Sequence, residues 1–214
     1  MTTRSLTRRT LARRAALATA AVTGALVLAA CGSGDGDSGS GAHGGHGTSA
    51  TPSASATAHN AQDVVFAQGM IPHHRQALEM AKLAAGRAAS ARVKDLASRI
   101  EKAQDPEIRT MTGWLTSWGE DVPMAGMDHS GHAGMPGMSG MMSEADMTAL
   151  EKAGGKDFDT RFLTLMVEHH QGAVAMARTE QEKGRFGAAK AMADDIVTAQ
   201  NAEIKEMKQL LGSR

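Results

Sequence analysis

Apolar positions recur every three to four residues through two stretches of the chain, and each stretch holds two such runs separated by a glycine-bearing break. In the first stretch Phe66, Met70, Ala77, Met80 and Ala81 form one stripe, and Leu96, Ile100, Ile108, Met111 and Leu115 form the next. That period belongs to an α-helix with one apolar face. The breaks near residues 86–90 and 184–187 carry the small residues expected of turns. Each stretch therefore predicts an αα-hairpin. Two hairpins with single apolar stripes bury them most simply against each other, so the pattern predicts an all-α fold: a four-helix bundle with a pseudo-twofold axis.

The two stretches are one motif written twice. His73 and His74 recur as His169 and His170, 96 residues later, and at the same offset Asp63, Phe66, Met70, Met80 and Ala81 match Asp159, Phe162, Met166, Met176 and Ala177. Gln104, Glu107, Ile108, Met111 and Leu115 likewise match Gln200, Glu203, Ile204, Met207 and Leu211. Between the repeats, Ser143 with Asp146 at the capping-box position predicts a short helix ending near Gly154 and Gly155. The bundle domain is thus assigned to residues 60–214, with repeat 1 at 60–118, a connecting loop at 119–142, a short helix at 143–153 and repeat 2 at 157–214. Pro72 lies mid-stripe and predicts a kink beside His73. Pro106 after Asp105 predicts a capped restart, so both helices of the first repeat are expected to bend.

Composition strengthens the helical reading and adds two further segments. Tyrosine is absent, aromatics make up 3% of the chain, and the helix formers alanine, methionine, leucine, lysine and glutamate dominate the second two thirds. Residues 1–30 read as an export signal: five arginines and no acidic residue, an apolar run over 15–30, then Leu28, Ala29, Ala30 and Cys31 in the order of a lipoprotein signal-peptidase box. The apolar run is too short to favour a membrane span. Cys31, the only cysteine, becomes the lipidated first residue of the mature chain in this reading, anchoring it to the outer face of the cell membrane. Arg8 and Arg9 also fit a twin-arginine leader, which leaves the export route open. Residues 31–59 are a Gly/Ser/Ala/Thr tether with too little apolar surface to fold, and His43 and His46 within it read as solvated.

Loss of the leader leaves 18 of the 23 basic residues against all 23 acidic ones, a formal charge of −5. With no basic stripe to replace phosphate counterions, nucleic acid is excluded as a partner.

The candidate chemistry lies on the apolar stripes. On a helix Met70 lies over His73 and His74, while His73 lies under Met80, and the second repeat stacks Met166, His169, His170 and Met176 in the same way. Adjacent histidines diverge by about 100°, so at most one of each pair points squarely at the bundle axis and the other is lateral. Facing stripes offer Gln104, Glu107 and Met111, or Gln200, Glu203 and Met207. Carboxylates there are suited to hold an imidazole N–H, as they do behind metal-bound histidines. Two readings stand side by side. The His pairs are metal ligands, or they are core histidines bonded to Glu107 and Glu203 in a non-metal interaction module. The spacing fits one shared centre, two, or none.

The connecting loop points to the metal. Met124, Met127, His129, His132, Met135, Met138 and Met141 recur about every third residue among glycine, serine and alanine, and seven of the fifteen methionines lie within 124–147. Exposed methionines in such a loop bury nothing, so packing does not explain them. Thioether with imidazole suits Cu(I), and imidazole also serves Cu(II). A Met-rich loop acting as an oxidant sink is the competing account.

Asp63, Phe66, Met70, His73, His74, Ala77, Met80 and Ala81, followed by Gln104, Glu107, Ile108, Met111 and Leu115 and echoed from Phe158 onward, resemble the domain-of-unknown-function 305 family over nearly all of residues 60–214. The resemblance implies a ferritin-like bundle, exported, with some members linked to copper binding and tolerance and no settled enzymatic activity. The expected partners are then a copper ion, the membrane through the lipid, and another copper-handling protein. No Glu-x-x-His motif, nucleophile–base spacing or phosphate loop occurs, so an enzyme is not expected.

Overall fold

Asn60 opens the first helix with a reciprocal capping box: its side chain accepts the amides of Gln62 and Asp63, and Asp63 in turn accepts the Asn60 amide at 2.5 Å. The computed structural model describes residues 58–124 and 139–212. Five helices fill most of them: α1 (Ala61–Arg87), α2 (Ala91–Trp118), α3 (Glu144–Lys152), α4 (Gly155–Lys183) and α5 (Gly187–Gly212). No strand occurs among the described residues. None of these helices is long and apolar enough to cross a membrane. The Ser143 and Asp146 box starts α3 as expected, and α2 ends where Gly119 turns left-handed at φ 74°. The second repeat starts two residues earlier than its stripe suggested, at Gly155.

The expected restart at Pro106 is not there. α1 continues through Pro72 and α2 through Pro106, and Asp105 pairs with Arg109 one turn on instead of capping. Proline removes one backbone bond, whereas Met70, Ile71 and His73 around Pro72 are fully buried, so side-chain packing holds the helix across the gap.

α1 packs on α2 and α4 on α5, and the two hairpins meet chiefly along α1 and α4. The apolar residues form two cores. One joins Ala77, Met80, Leu96, Ile100, Phe158, Phe162, Met166 and Met207 with α3. The other joins Phe66, Met70, Ile71, Met111, Leu115, Ala173, Ala177 and Ile196. These memberships make α1 and α4 antiparallel, since the end of α1 shares a core with the start of α4. Between the cores each long helix contributes polar residues: His73 and His74, Gln104 and Glu107, His169 and His170, Gln200 and Glu203.

The duplicated aspartates clasp the hairpins together. Asp63 on α1 accepts the amides of Arg185 and Phe186 in the α4–α5 turn at 3.0 and 2.9 Å. Asp159 on α4 accepts those of Ala89 and Ser90 in the α1–α2 turn, both at 3.1 Å. Each repeat thus caps the turn of the other.

Candidate metal centre

All four histidines of the two pairs are buried, none more than 1% exposed. Within each pair the two rings point in different directions. His73 and His169 meet across α1 and α4 with ring centroids 3.7 Å apart and planes tilted by 45°. His74 and His170 face the second helix of their own hairpins, where each Nε2–H donates to a carboxylate, Glu107 at 2.7 Å and Glu203 at 2.8 Å. Those carboxylates keep 22% and 14% of their side-chain surface, so their charge remains partly solvated while the rings do not.

Burial pushes the His73 pKa down to about 3, and the charge of His74 adds to the effect. His169 lies well below the ordinary histidine value, again through burial first and His73 second. Both rings are therefore neutral across physiological pH. A neutral imidazole is the form that binds a metal.

The ring nitrogens facing the interior lack partners. His73 Nε2 donates to the Ser139 carbonyl at 3.3 Å, so in His73, as in His74 and His170, Nε2 bears a hydrogen. Nδ1 of His73, His74 and His170 and both nitrogens of His169 are buried with no hydrogen bond, and Gln104 beside them is unsatisfied at both side-chain atoms. A buried unsatisfied polar group costs roughly 1–3 kcal/mol, and native interiors hold few of them. The lone pairs of the neutral His73 and His169 rings fit a copper ion. Among the described residues no group of three or more His, Cys, Asp or Glu side chains is arranged to hold a metal, so any centre here relies on few imidazoles or adds sulfur.

The thioethers flank this layer on both sides. Met80, Met166 and Met207 belong to one core, and Met70, Met111 and Met176 to the other, all buried. Packing alone accounts for their positions. Met124 is 65% exposed at the start of the connecting loop. Beyond it the premise of uniformly exposed loop methionines fails: Met141 is half-buried, and Met142 belongs to the core beneath α3. Met127, His129, His132, Met135 and Met138 lie outside the described residues, as do Cys31, the leader and most of the tether.

Both ends of the Met/His loop are fastened to α1 beside the histidines. Gln68 donates to the Asp121 carbonyl and Arg75 to that of Pro123, at 2.9 and 2.5 Å. On the return, His73 holds Ser139, and Gln76 makes two buried bonds to the backbone of Met142. Sequence reading missed Gln76 and its partner in the second repeat, Gly172. The signal was a mismatch, since these positions differ inside an otherwise matching motif.

A helical bundle with a duplicated, buried histidine layer is the class this architecture defines. The chain belongs to the DUF305 family, whose model, described as a domain of unknown function, matches residues 63–211. It is similar to a DUF305 protein from Streptomyces coelicolor at 35% identity, over 71% of this chain and 93% of that one, with a TM-score of 0.63. A DUF305 fragment from Deinococcus radiodurans is 33% identical over 72% and 98%, with a TM-score of 0.64. CopM in its Cu(II)-bound form is 35% identical over 71% and 96%, with a TM-score of 0.60. CopM has also been solved with Cu(I) and with silver, and in the apo form. No curated protein matches the chain.

Proposed function

We propose that this protein binds copper outside the cytoplasm and sequesters it or hands it on, as a carrier rather than a catalyst. The observation that carries the reading is the set of unpartnered imidazole nitrogens in both repeats, and the metal-bound forms of CopM support it. His73 and His169 are the proposed central ligands. Met70, Met80, Met166, Met176, Met111 and Met207 lie in the flanking cores as sources of sulfur. Met124, Met127, His129, His132, Met135, Met138 and Met141 make the proposed capture site, a soft donor set for Cu(I) that needs no deprotonation. Cys31 carries the lipid that keeps the carrier at the outer face of the membrane. Glu107 and Glu203 hold His74 and His170 in place, and this is the part of the layer that the non-metal reading explains equally well.

Titration of Cu(I) against a chromophoric chelator tests the reading. Replacement of His73 and His169 with Gln is expected to remove tight copper while leaving helicity intact; loss of fold in metal-free protein, or unchanged copper retention, contradicts it. Replacement of Met127, His129, His132, Met135 and Met138 with Ala is expected to lower the stoichiometry, and an unchanged stoichiometry removes the loop from the mechanism.

A further inference from the structure

We infer that residues 139–142 form a strap that positions His73 for metal binding, by fixing which ring nitrogen carries the proton; this rests on His73 being a copper ligand. A carbonyl only accepts. The contact between Ser139 O and His73 Nε2 therefore requires the proton on Nε2 and leaves Nδ1, which has no other partner, as the donor to a metal.

The strap is held by two devices. On α4, Gly172 leaves room for it: a Cβ there would stand 1.8 Å from Ser139 O and 2.6 Å from its carbonyl carbon. Gly140 answers from the strap, left-handed at φ 86°, where a Cβ would stand 2.8 Å from the Glu168 carbonyl. On α1, Gln76 accepts the Met142 amide at 2.7 Å and donates to its carbonyl at 2.9 Å.

Gln76 and Gly172 occupy the same position in the two repeats. One repeat supplies the tether and the other the gap, so the strap lies in one direction only and the twofold symmetry is broken at the histidines. His73 presents a fixed donor atom. His169 has no hydrogen bond to the strap, and its ring lies against the His73 backbone instead. The strap then sets the donor atom of one ligand and not of the other, and the affinity of the centre depends on it.

The test is Gly172→Ala, which favours the helix but cannot coexist with the strap in its present place. Gly113→Ala is the control, because a Cβ at Gly113 meets nothing within 4 Å. Long-range 1H–15N spectra of histidine-labelled, metal-free protein report the tautomer, and competition with a chelator reports Cu(I) affinity. G172A is expected to convert His73 from the pure Nε2–H form to a mixture and to weaken Cu(I) binding about 10-fold or more, in the range seen when a ligand's supporting bond is lost; G113A is expected to change neither. Should G172A fail to fold, Gln76→Ala frees the Met142 end without adding bulk, and the same two changes are expected. An unchanged tautomer overturns the inference, as does a changed tautomer with unchanged affinity. Wild-type protein that retains no Cu(I) overturns the functional reading instead, and the tautomer of G172A still decides whether the strap sets the ring.

Discussion

Replacing Glu180 with Gln is expected to stabilise the protein at alkaline pH and to leave it unchanged near pH 4.5. Glu180 is fully buried on α4, against Gly184, where a Cβ would stand 2.1 Å from its Oε1. Burial, then the hydrogen bond and charge of Asp63, push its pKa up to about 8, with a hydrogen bond from Gln62 and, after it, the charge of Lys190 pulling the other way. For Asp63, burial acts upward too, but the bonds from Glu180 and from the Asn60, Phe186 and Arg185 amides outweigh it and hold the group below its ordinary value. At neutral pH the proton therefore sits on Glu180, and Asp63 keeps the charge with which it clasps the α4–α5 turn. In the unfolded chain Glu180 ionises near its ordinary 4.5. Between pH 4.5 and 8 the folded state thus binds a proton that the unfolded state lacks, and stability falls as pH rises through that window. At about 1.4 kcal/mol per pH unit the accumulated loss is on the order of 4 kcal/mol. Glutamine matches the neutral carboxyl in shape and still donates to Asp63, but does not titrate. Urea unfolding of both proteins from pH 4.5 to 8.5 is expected to give coincident stabilities at the acid end and a gap of a few kcal/mol at pH 8, wild type lower. Parallel profiles would refute the shared proton. The first repeat provides an internal comparison, since Ala84 stands at the equivalent position behind Asp159.

Asp159→Ala removes the acceptor for two turn amides, and a loss of roughly 2–4 kcal/mol is expected in chemical denaturation at pH 7. A loss below half a kcal/mol would mean the turn does not depend on the clasp. Glu107→Ala leaves the buried His74 Nε2–H without an acceptor and is expected to cost about 1–3 kcal/mol. The same change at Glu203 should match it, because the two pairs differ by only 0.1 Å; a large inequality would show that the halves do not support their histidines alike.

Much of the fold was legible because periodicity and repetition act locally. The stripes through Phe66, Met70 and Ala77, or Leu96 and Ile100, located the helices, and Ser143 with Asp146 located α3. Proline misled at residue 106, where α2 runs on through a single lost backbone bond. Of the site, the bonds from His74 to Glu107 and from His170 to Glu203 follow from residues 33 apart in each repeat, so the duplicated spacing revealed them. The meeting of His73 with His169 depends on how the hairpins cross, which no spacing within one repeat encodes. The strap depends on Gly172 having no side chain, a steric fact visible only once residues 139–142 are seen lying on it.

X-ray absorption at the copper edge, on protein carrying one equivalent of Cu(I) with the five residues Met127, His129, His132, Met135 and Met138 replaced by alanine, tests the central claim most directly. The account predicts bound copper with imidazole nitrogen in its coordination shell, lost on changing His73 and His169 to Gln. Copper that washes away, or a spectrum unaffected by those two substitutions, would contradict it.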